Sequence, residues 1–396
     1  MKEWKKVKLG ELYEVHNGLS KGRQFFGSGY PFLTFSNVFN NWFLPEELES
    51  LVQSSEKERQ TCSIKKGDVF ITRTSETMDE LGMSSVALKD YPNATYNGFT
   101  KRLRPLTDEV IPEYIGYYLR SPKFRGKFMA FSTMTTRASL ANDDLLSMEV
   151  DIPEKAIQQR IATILSRYDS LIENYQKQIK LLEESAQRLY KEWFIDLRFP
   201  GHENTKIVDG VPEGWEKKTL SDIATIIMGQ SPKSEFYNSV RNGLPFHQGV
   251  GSYGFRFVVD NVYSTSFTRI AESNSILFSV RAPVGRLNIT KNKIVIGRGL
   301  AAINHKKGHQ SFLYYLLKEK FFKDNIIGNG AIFASISKDE LYNQVFVIPS
   351  DEMVMRYDTI ANKIDKDIQY IDSQIYFLTE GRDRLLPKLM SGEIEV

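Results

Sequence analysis

Two long amphipathic runs dominate the hydrophobic pattern of the chain. In the first, apolar residues fall at Ile157, Ile161, Ile164, Tyr168, Leu171, Tyr175, Ile179, Leu182, Ala186 and Leu189. Steps of three and four lay a single stripe along a helix. No Gly or Pro interrupts Glu154 to Ile195. The second run follows Ile348-Pro349, with Tyr357, Ile360, Ile364, Ile368, Ile371, Ile375 and Leu378, and stays free of Gly until Gly381. Pro153 and Pro349 stand at the two helix starts, where a missing N–H does no harm. A helix of roughly 40 residues is about 60 Å long, too long to sit inside a small domain. Each stripe needs a partner, and the chain supplies two matching stripes. Pairing them as an intramolecular antiparallel coiled coil is the simplest solution. In the alternative, each helix packs on its own globular part.

Ahead of each long run the pattern changes to short β-rich stretches punctuated by Gly, Pro and Asn: Asp68–Thr72, Ser275–Val280 and Lys293–Ile296. Shorter helices are expected around Pro112–Leu119 and Gln310–Phe322. The chain is also written twice. Trp4 and Leu9 return as Trp215 and Leu220, Gly18 as Gly229, Pro31-Phe32 as Pro245-Phe246, and Tyr117-Tyr118-Leu119 as Tyr314-Tyr315-Leu316. Ala138, Ser139, Asp143, Leu145, Val150, Pro153, Arg160 and Asp169 return 196 residues on as Ala334, Ser335, Asp339, Leu341, Phe346, Pro349, Arg356 and Asp365. The expected fold class is α+β: two similar globular domains, residues 1–152 and 200–348. Two helical segments, 153–199 and 349–396, join them with pseudo-twofold symmetry.

A chain of 396 residues with 41% apolar content supports two or three packed domains. Cys62 is the only cysteine. Disulfide frameworks and cysteine-based zinc sites are thereby excluded, and a cytoplasmic location is expected. The start of the chain lacks the apolar core of a signal peptide, and no apolar run approaches the roughly 20 residues that span a bilayer. The net charge of +3 is unevenly spread. Residues 200–350 carry 18 Lys+Arg against 12 Asp+Glu, whereas 351–396 carry 6 against 10. That asymmetry permits a polyanionic partner without proving one.

Several motifs resemble one family over essentially the whole chain. They are Ile152-Pro-Glu-Lys-Ala-Ile-Gln-Gln-Arg-Ile-Ala-Thr-Ile-Leu165, Trp193-Phe-Ile-Asp-Leu-Arg-Phe-Pro-Gly201, Val211-Pro-Glu-Gly-Trp215 and Leu385-Leu-Pro-Lys-Leu-Met-Ser-Gly-Glu-Ile394. Together with the repeat, they resemble the specificity subunits of type I restriction-modification enzymes. The second helix departs from the first at its start, where Met353-Val-Met-Arg-Tyr357 replaces Ile157-Gln-Gln-Arg-Ile161. The resemblance implies a DNA-binding subunit with two target-recognition domains on helical spacers. It implies double-stranded DNA, two methyltransferase subunits and, in the full complex, translocase-nuclease subunits as partners. Differing globular parts then imply a bipartite, asymmetric target.

Candidate DNA contacts are basic. One stretch contains Lys101, Arg102, Arg104, Arg120, Lys123, Arg125, Lys127 and Arg137. A second contains Arg269, Arg281, Arg286, Lys291, Lys293, Arg298, Lys306 and Lys307. Lys101, Arg102, Arg104, Arg137, Arg281, Arg286, Lys291, Lys293 and Arg298 are the principal candidates. Such residues neutralise phosphates, and Arg also pairs with guanine edges. Gln24, Asn37, Gln230, Gln248 and Asn288 suit adenine but equally suit ordinary turns. Tyr253, Phe255 and Phe257 could stack on bases, although one face of a strand explains them as well.

Motifs for catalysis are missing. Gly249-Val-Gly-Ser-Tyr-Gly254 matches the dinucleotide fingerprint, but Phe255–Val259 reads as a strand where that motif needs a helix. His305 and His309 are spaced as metal ligands, with lysines between them and no carboxylate near in sequence. Glu216-Lys217-Lys218, after Asp209, only faintly suggests a nuclease triplet. Neither an Asn-Pro-Pro-Tyr methyltransferase motif nor a phosphate-binding loop occurs, so no catalytic residue, cofactor or metal is expected. Two other readings stay open: a coiled-coil adapter that does not read DNA, and a nuclease with an unfamiliar site.

Overall fold

The computed structural model describes residues 4–75, 80–131, 138–139, 141–208, 210–321 and 335–396. The fold is α+β and divides into two compact units. One comprises residues 1–174 with 374–396, the other 175–373, so each unit takes a share of both long helices. Those helices run Lys155–Phe194 and Asp351–Ser391. The second passes through both Gly381 and Pro387. Gly381 is useful there, because a Cβ at that position would press on the Tyr168 ring at 3.3 Å.

The two units repeat one plan. In the first, the strand Lys5–Lys8 pairs antiparallel with Glu149–Ile152; in the second, Glu216–Thr219 pairs with Val345–Ile348. Each has a four-stranded antiparallel sheet with the order of strands 13–17, 100–105, 69–72, 84–86 in one and 224–228, 300–305, 276–279, 287–289 in the other. Each also has one parallel strand pair: Phe32–Leu33 beside Thr95–Tyr96, and Phe246–His247 beside Val295–Ile296. The predicted β runs form the central, wholly buried strands Val69–Thr72, Ile276–Ser279 and Ile294–Ile296. Continuous apolar runs of this kind suit strands covered on both faces.

Within each unit the two helix segments run antiparallel. In the first, Ile161 and Leu165 share a core with Leu386, Leu389 and Met390. In the second, Tyr190, Trp193 and Phe194 pack around the Tyr357 ring at 5.7, 6.1 and 5.3 Å. Tyr357 also donates its hydroxyl to the Ala186 carbonyl at 3.0 Å. At the 196-residue repeat spacing, Ile161, Leu386, Leu389 and Met390 correspond to Tyr357, Tyr190, Trp193 and Phe194. One junction is therefore aliphatic and the other aromatic.

The repeated aspartates have one structural role. Tyr117 donates to Asp169 at 2.5 Å and Tyr315 donates to Asp365 at 3.3 Å. The structural counterpart of Tyr117 is thus Tyr315, one residue beyond the Tyr314 that sequence matching selects. Each aspartate also meets an arginine at 2.6 Å, Arg382 in one unit and Arg256 in the other.

The departure at the start of the second helix has a physical reason. Gln158 is buried and used internally. It accepts from the Ile111 N–H at 3.0 Å and donates to the carbonyls of Glu109 and Pro153, both at 2.9 Å. Its counterpart Val354 is buried without such bonds, and Asp358 instead accepts the Phe312 N–H at 2.9 Å.

Candidate nucleic-acid interface

At one end of the second unit's sheets, several strand ends converge. Ala224–Met228, Leu244–His247 and Ile294–Ile296 run out there, into Gly229-Gln230-Ser231, Gln248-Gly249 and Gly297-Arg298-Gly299. Backbone hydrogen bonds knit these loops together. Gln230 N–H donates to the Ile296 carbonyl at 2.9 Å, Gly297 to His247 at 2.8 Å, and Gly299 to Gln248 at 3.0 Å. Gly229 is required by close approach, since a Cβ on it would overlap the Gly297 carbonyl oxygen. The Arg298 N–H is held by Ser231 Oγ at 3.2 Å. The side chains of Gln230, Gln248 and Arg298 face solvent.

Ile276–Ser279 ends at the same rim, where Val280 N–H donates to the Gly299 carbonyl at 2.9 Å. Arg281, exposed, follows it, and half-buried Arg286 precedes the adjoining strand Leu287–Ile289. Arg269, also exposed, lends its carbonyl to the Ile296 N–H at 2.9 Å. Arg269, Arg281 and Arg298 form no ion pair among the described residues. The rim is consequently basic and polar, built on a rigid sheet end.

The first unit has the same rim with different side chains. Leu19 N–H donates to the Tyr96 carbonyl at 2.8 Å, Asn97 to Leu33 at 3.0 Å, and Arg73 to Phe99 at 3.0 Å. These bonds make Leu19, Thr34, Asn97, Gly98, Phe99 and Arg73 the counterparts of Gln230, Gln248, Gly297, Arg298, Gly299 and Val280. Phe99 is 60% exposed. Gly18, like Gly229, leaves no room for a Cβ beside the opposing carbonyl, here of Asn97.

Most of the other predicted basic side chains are engaged within the fold. Lys101 is buried and donates to Asn142, and burial lowers its pKa. Arg102 is buried and donates to the Thr61 and Ser63 carbonyls at 3.2 and 2.8 Å. Arg104 forks onto the buried Asp68 carboxylate at 2.8 and 2.6 Å, a hydrogen bond that raises its pKa. Arg120 holds the Val38, Phe39 and Asn41 carbonyls, and burial pushes its pKa down to about 10. Lys123 and Lys127 both turn to Asp151. The strand Thr100–Pro105 places Lys101, Arg102 and Arg104, and the two following helices place Arg120, Lys123 and Lys127, where backbone, side-chain amide and carboxylate oxygens within the fold take up their charge.

Lys291 and Lys293 lie at the opposite end of the second unit's sheet from Arg298. Lys291 pairs with Asp372 of the long helix, and Lys293 pairs with Glu272 at 2.9 Å. Lys306 and Lys307 bind the Ser221 carbonyl and Asp351. Arg137 lies outside the described residues.

Among the polar candidates, Asn37 is consumed in a helix-capping box with Thr34, and buried Asn288 donates to the Gly254 carbonyl at 3.0 Å. Phe255–Val259 is a bend and not the expected strand. Tyr253 bridges to Val258, and Arg256 turns inward to Glu183 and Asp365. No helix follows Gly254 either, as a dinucleotide fingerprint requires. A carboxylate does approach the histidines in space: Asp358 lies 3.6 Å from His309. Among the described residues, however, no three His, Cys, Asp or Glu side chains are grouped to hold a metal. Cys62 is buried.

Comparison with known proteins gives a consistent picture. The family described as "Type I restriction modification DNA specificity domain" matches residues 1–184 and again 212–370. The chain is 28% identical to the putative type I restriction enzyme MjaX specificity subunit of Methanocaldococcus jannaschii, covering 100% of this chain and 94% of that one. It is 25% identical to the HindI specificity subunit of Haemophilus influenzae, with both chains fully covered. The crystal structure of a type I restriction-modification S subunit from M. genitalium is similar in fold. Its TM-score is 0.54 at 17% identity, over 98% of this chain and 96% of that one.

Proposed function

This chain belongs to the type I restriction-modification DNA specificity family, and from that premise we propose that it is the non-catalytic subunit that selects the DNA target of such a complex. Each compact unit reads one half-site, and the two half-sites form a bipartite, asymmetric sequence. The subunit brings two methyltransferase subunits, and in the full complex the restriction subunits, to that sequence in the cytoplasm. The observation that carries this reading is the doubled rim. One backbone framework, closed by equivalent hydrogen bonds in both units, carries Leu19, Thr34 and Gly98 in one and Gln230, Gln248 and Arg298 in the other. Constant framework with changed surface chemistry is what two readers of different sequences need, because base edges are distinguished by donors, acceptors and methyl groups. No helix among the described residues is long and apolar enough to cross a membrane.

The test is reconstitution with the methyltransferase subunit of the same system, followed by long-read methylation mapping of host DNA. One bipartite adenine-containing motif is expected, and none when this chain is omitted. Methyl transfer from S-adenosylmethionine by the chain alone, or methylation by the complex without sequence preference, would overturn the reading.

A further inference from the structure

Resting on that reading, we infer that the second unit recognises purines, with Arg298 addressing a guanine and Gln248 and Gln230 addressing adenines. The three residues sit on three different loops, all at one sheet end. Their main chains are fixed. Gln230 is tied to Ile296, and Gln248 to Gly299. Arg298 lies between two glycines, with its own N–H on Ser231. Their side chains alone are free to face outward. This is a platform with a fixed main chain that presents one guanidinium and two carboxamides, so that binding need order only those side chains.

The chemistry of those groups is selective. A guanidinium fork matches guanine O6 and N7, and a carboxamide matches the donor–acceptor pair N6 and N7 of adenine. Arg269 and Arg281, exposed on the same rim, supply positive charge for the flanking phosphates. The counterpart positions Leu19, Thr34 and Gly98 of the first unit offer neither a guanidinium nor a carboxamide. The first unit therefore does not present these groups from the same three positions, although it shares the backbone.

The experiment uses the reconstituted methyltransferase complex carrying R298A, R298Q, Q248A or K293A. Methylated motifs are mapped, and binding is titrated at several salt concentrations. R298A should lose discrimination for guanine at one position of one half-site by roughly tenfold or more, the scale of a bidentate base contact. The gap and the other half-site should stay as in the parent complex. Q248A should relax an adenine in that same half-site. K293A, at the far end of the sheet, should change nothing. R298Q should convert the guanine preference into an adenine preference. A damaged fold cannot create a new preference, so this variant decides the matter even where R298A assembles poorly. If R298A leaves the motif intact and only weakens binding to all sequences, with a salt slope reduced by about one, Arg298 is a phosphate contact and the inference is wrong. An unchanged guanine requirement in R298Q also overturns it. If the parent complex itself shows no sequence-restricted methylation, the failure belongs to the proposed function and not to this assignment.

Discussion

Arg256 offers the sharpest physical test of how the second unit is held. Its side chain is 1% exposed. It donates to Glu183 at 2.7 Å and to Asp365 at 2.6 Å, and its guanidinium carbon lies 3.6 Å from the centre of the Tyr314 ring. One residue from a bend thus ties that bend to both long helices. Replacing it with Met keeps most of the volume and removes the charge. Breaking a buried ion pair by deleting one partner costs about 3–5 kcal/mol, because the other charge stays buried. Here the orphaned carboxylates keep some support. Glu183 retains Lys318 at 3.5 Å, and Asp365 retains the Tyr315 hydroxyl at 3.3 Å. The side chains of Glu183 and Asp365 are 12% and 19% exposed. The lower end, about 3 kcal/mol, is therefore expected. For a unit of this size that corresponds to a fall in melting temperature of roughly 6–12 °C. Calorimetry on the full chain reads it directly. Adding Glu183→Leu and Asp365→Leu to Arg256→Met should recover most of the loss, since an apolar replacement of a whole buried ionic cluster is often neutral or stabilising. If Arg256→Met alone melts within about 2 °C of the parent, the cluster contributes little and the reasoning fails.

Three further outcomes are expected. Gly229→Ala should destabilise the rim by about 1–3 kcal/mol through overlap with the Gly297 carbonyl, seen as a lower urea midpoint, while Gly308→Ala, with open space around it, should not show that clash and reports only backbone strain. Tyr117→Phe should cost roughly 1–3 kcal/mol by removing a donor to a carboxylate, and more than Tyr315→Phe, whose bond to Asp365 is longer; urea unfolding of the two variants checks the order. His305 has its pKa lowered to about 4, first by burial and then by His309, and its Nδ1 accepts the N–H groups of Lys307 and His309. The unfolded chain therefore binds a proton first on acidification. Stability should fall between about pH 6.5 and 4 by on the order of 1–2 kcal/mol, allowing for solvent screening, and a His305→Gln variant should lack that part of the acid slope.

Periodicity along the chain was sufficient for the long helices, and internal matching for the doubled plan. Both are local or collinear signals: a stripe every three or four residues, and motifs at constant spacing. The buried central strands were also legible, because an apolar run between turn residues has few other fates. The candidate interface was legible only in part. Arg298, Gln230 and Gln248 could be picked out by type, but nothing in their spacing told them from Lys101, Arg102, Lys291 or Lys293. Tertiary structure separated them. Strand pairing within residues 224–305 brings Gly229, Gln248 and Gly297 to one sheet end, and it sends Lys291 and Lys293 to the other. Charge in sequence does not say whether a cation faces water or a buried carboxylate. For Arg104 and Arg256 the answer lay in Asp68, Glu183 and Asp365, which only folding brings within reach. The one-residue shift between Tyr117 and Tyr315 has the same origin. A hydroxyl's partner is decided by where the helix surface meets the aspartate, and matching letters carries no distance.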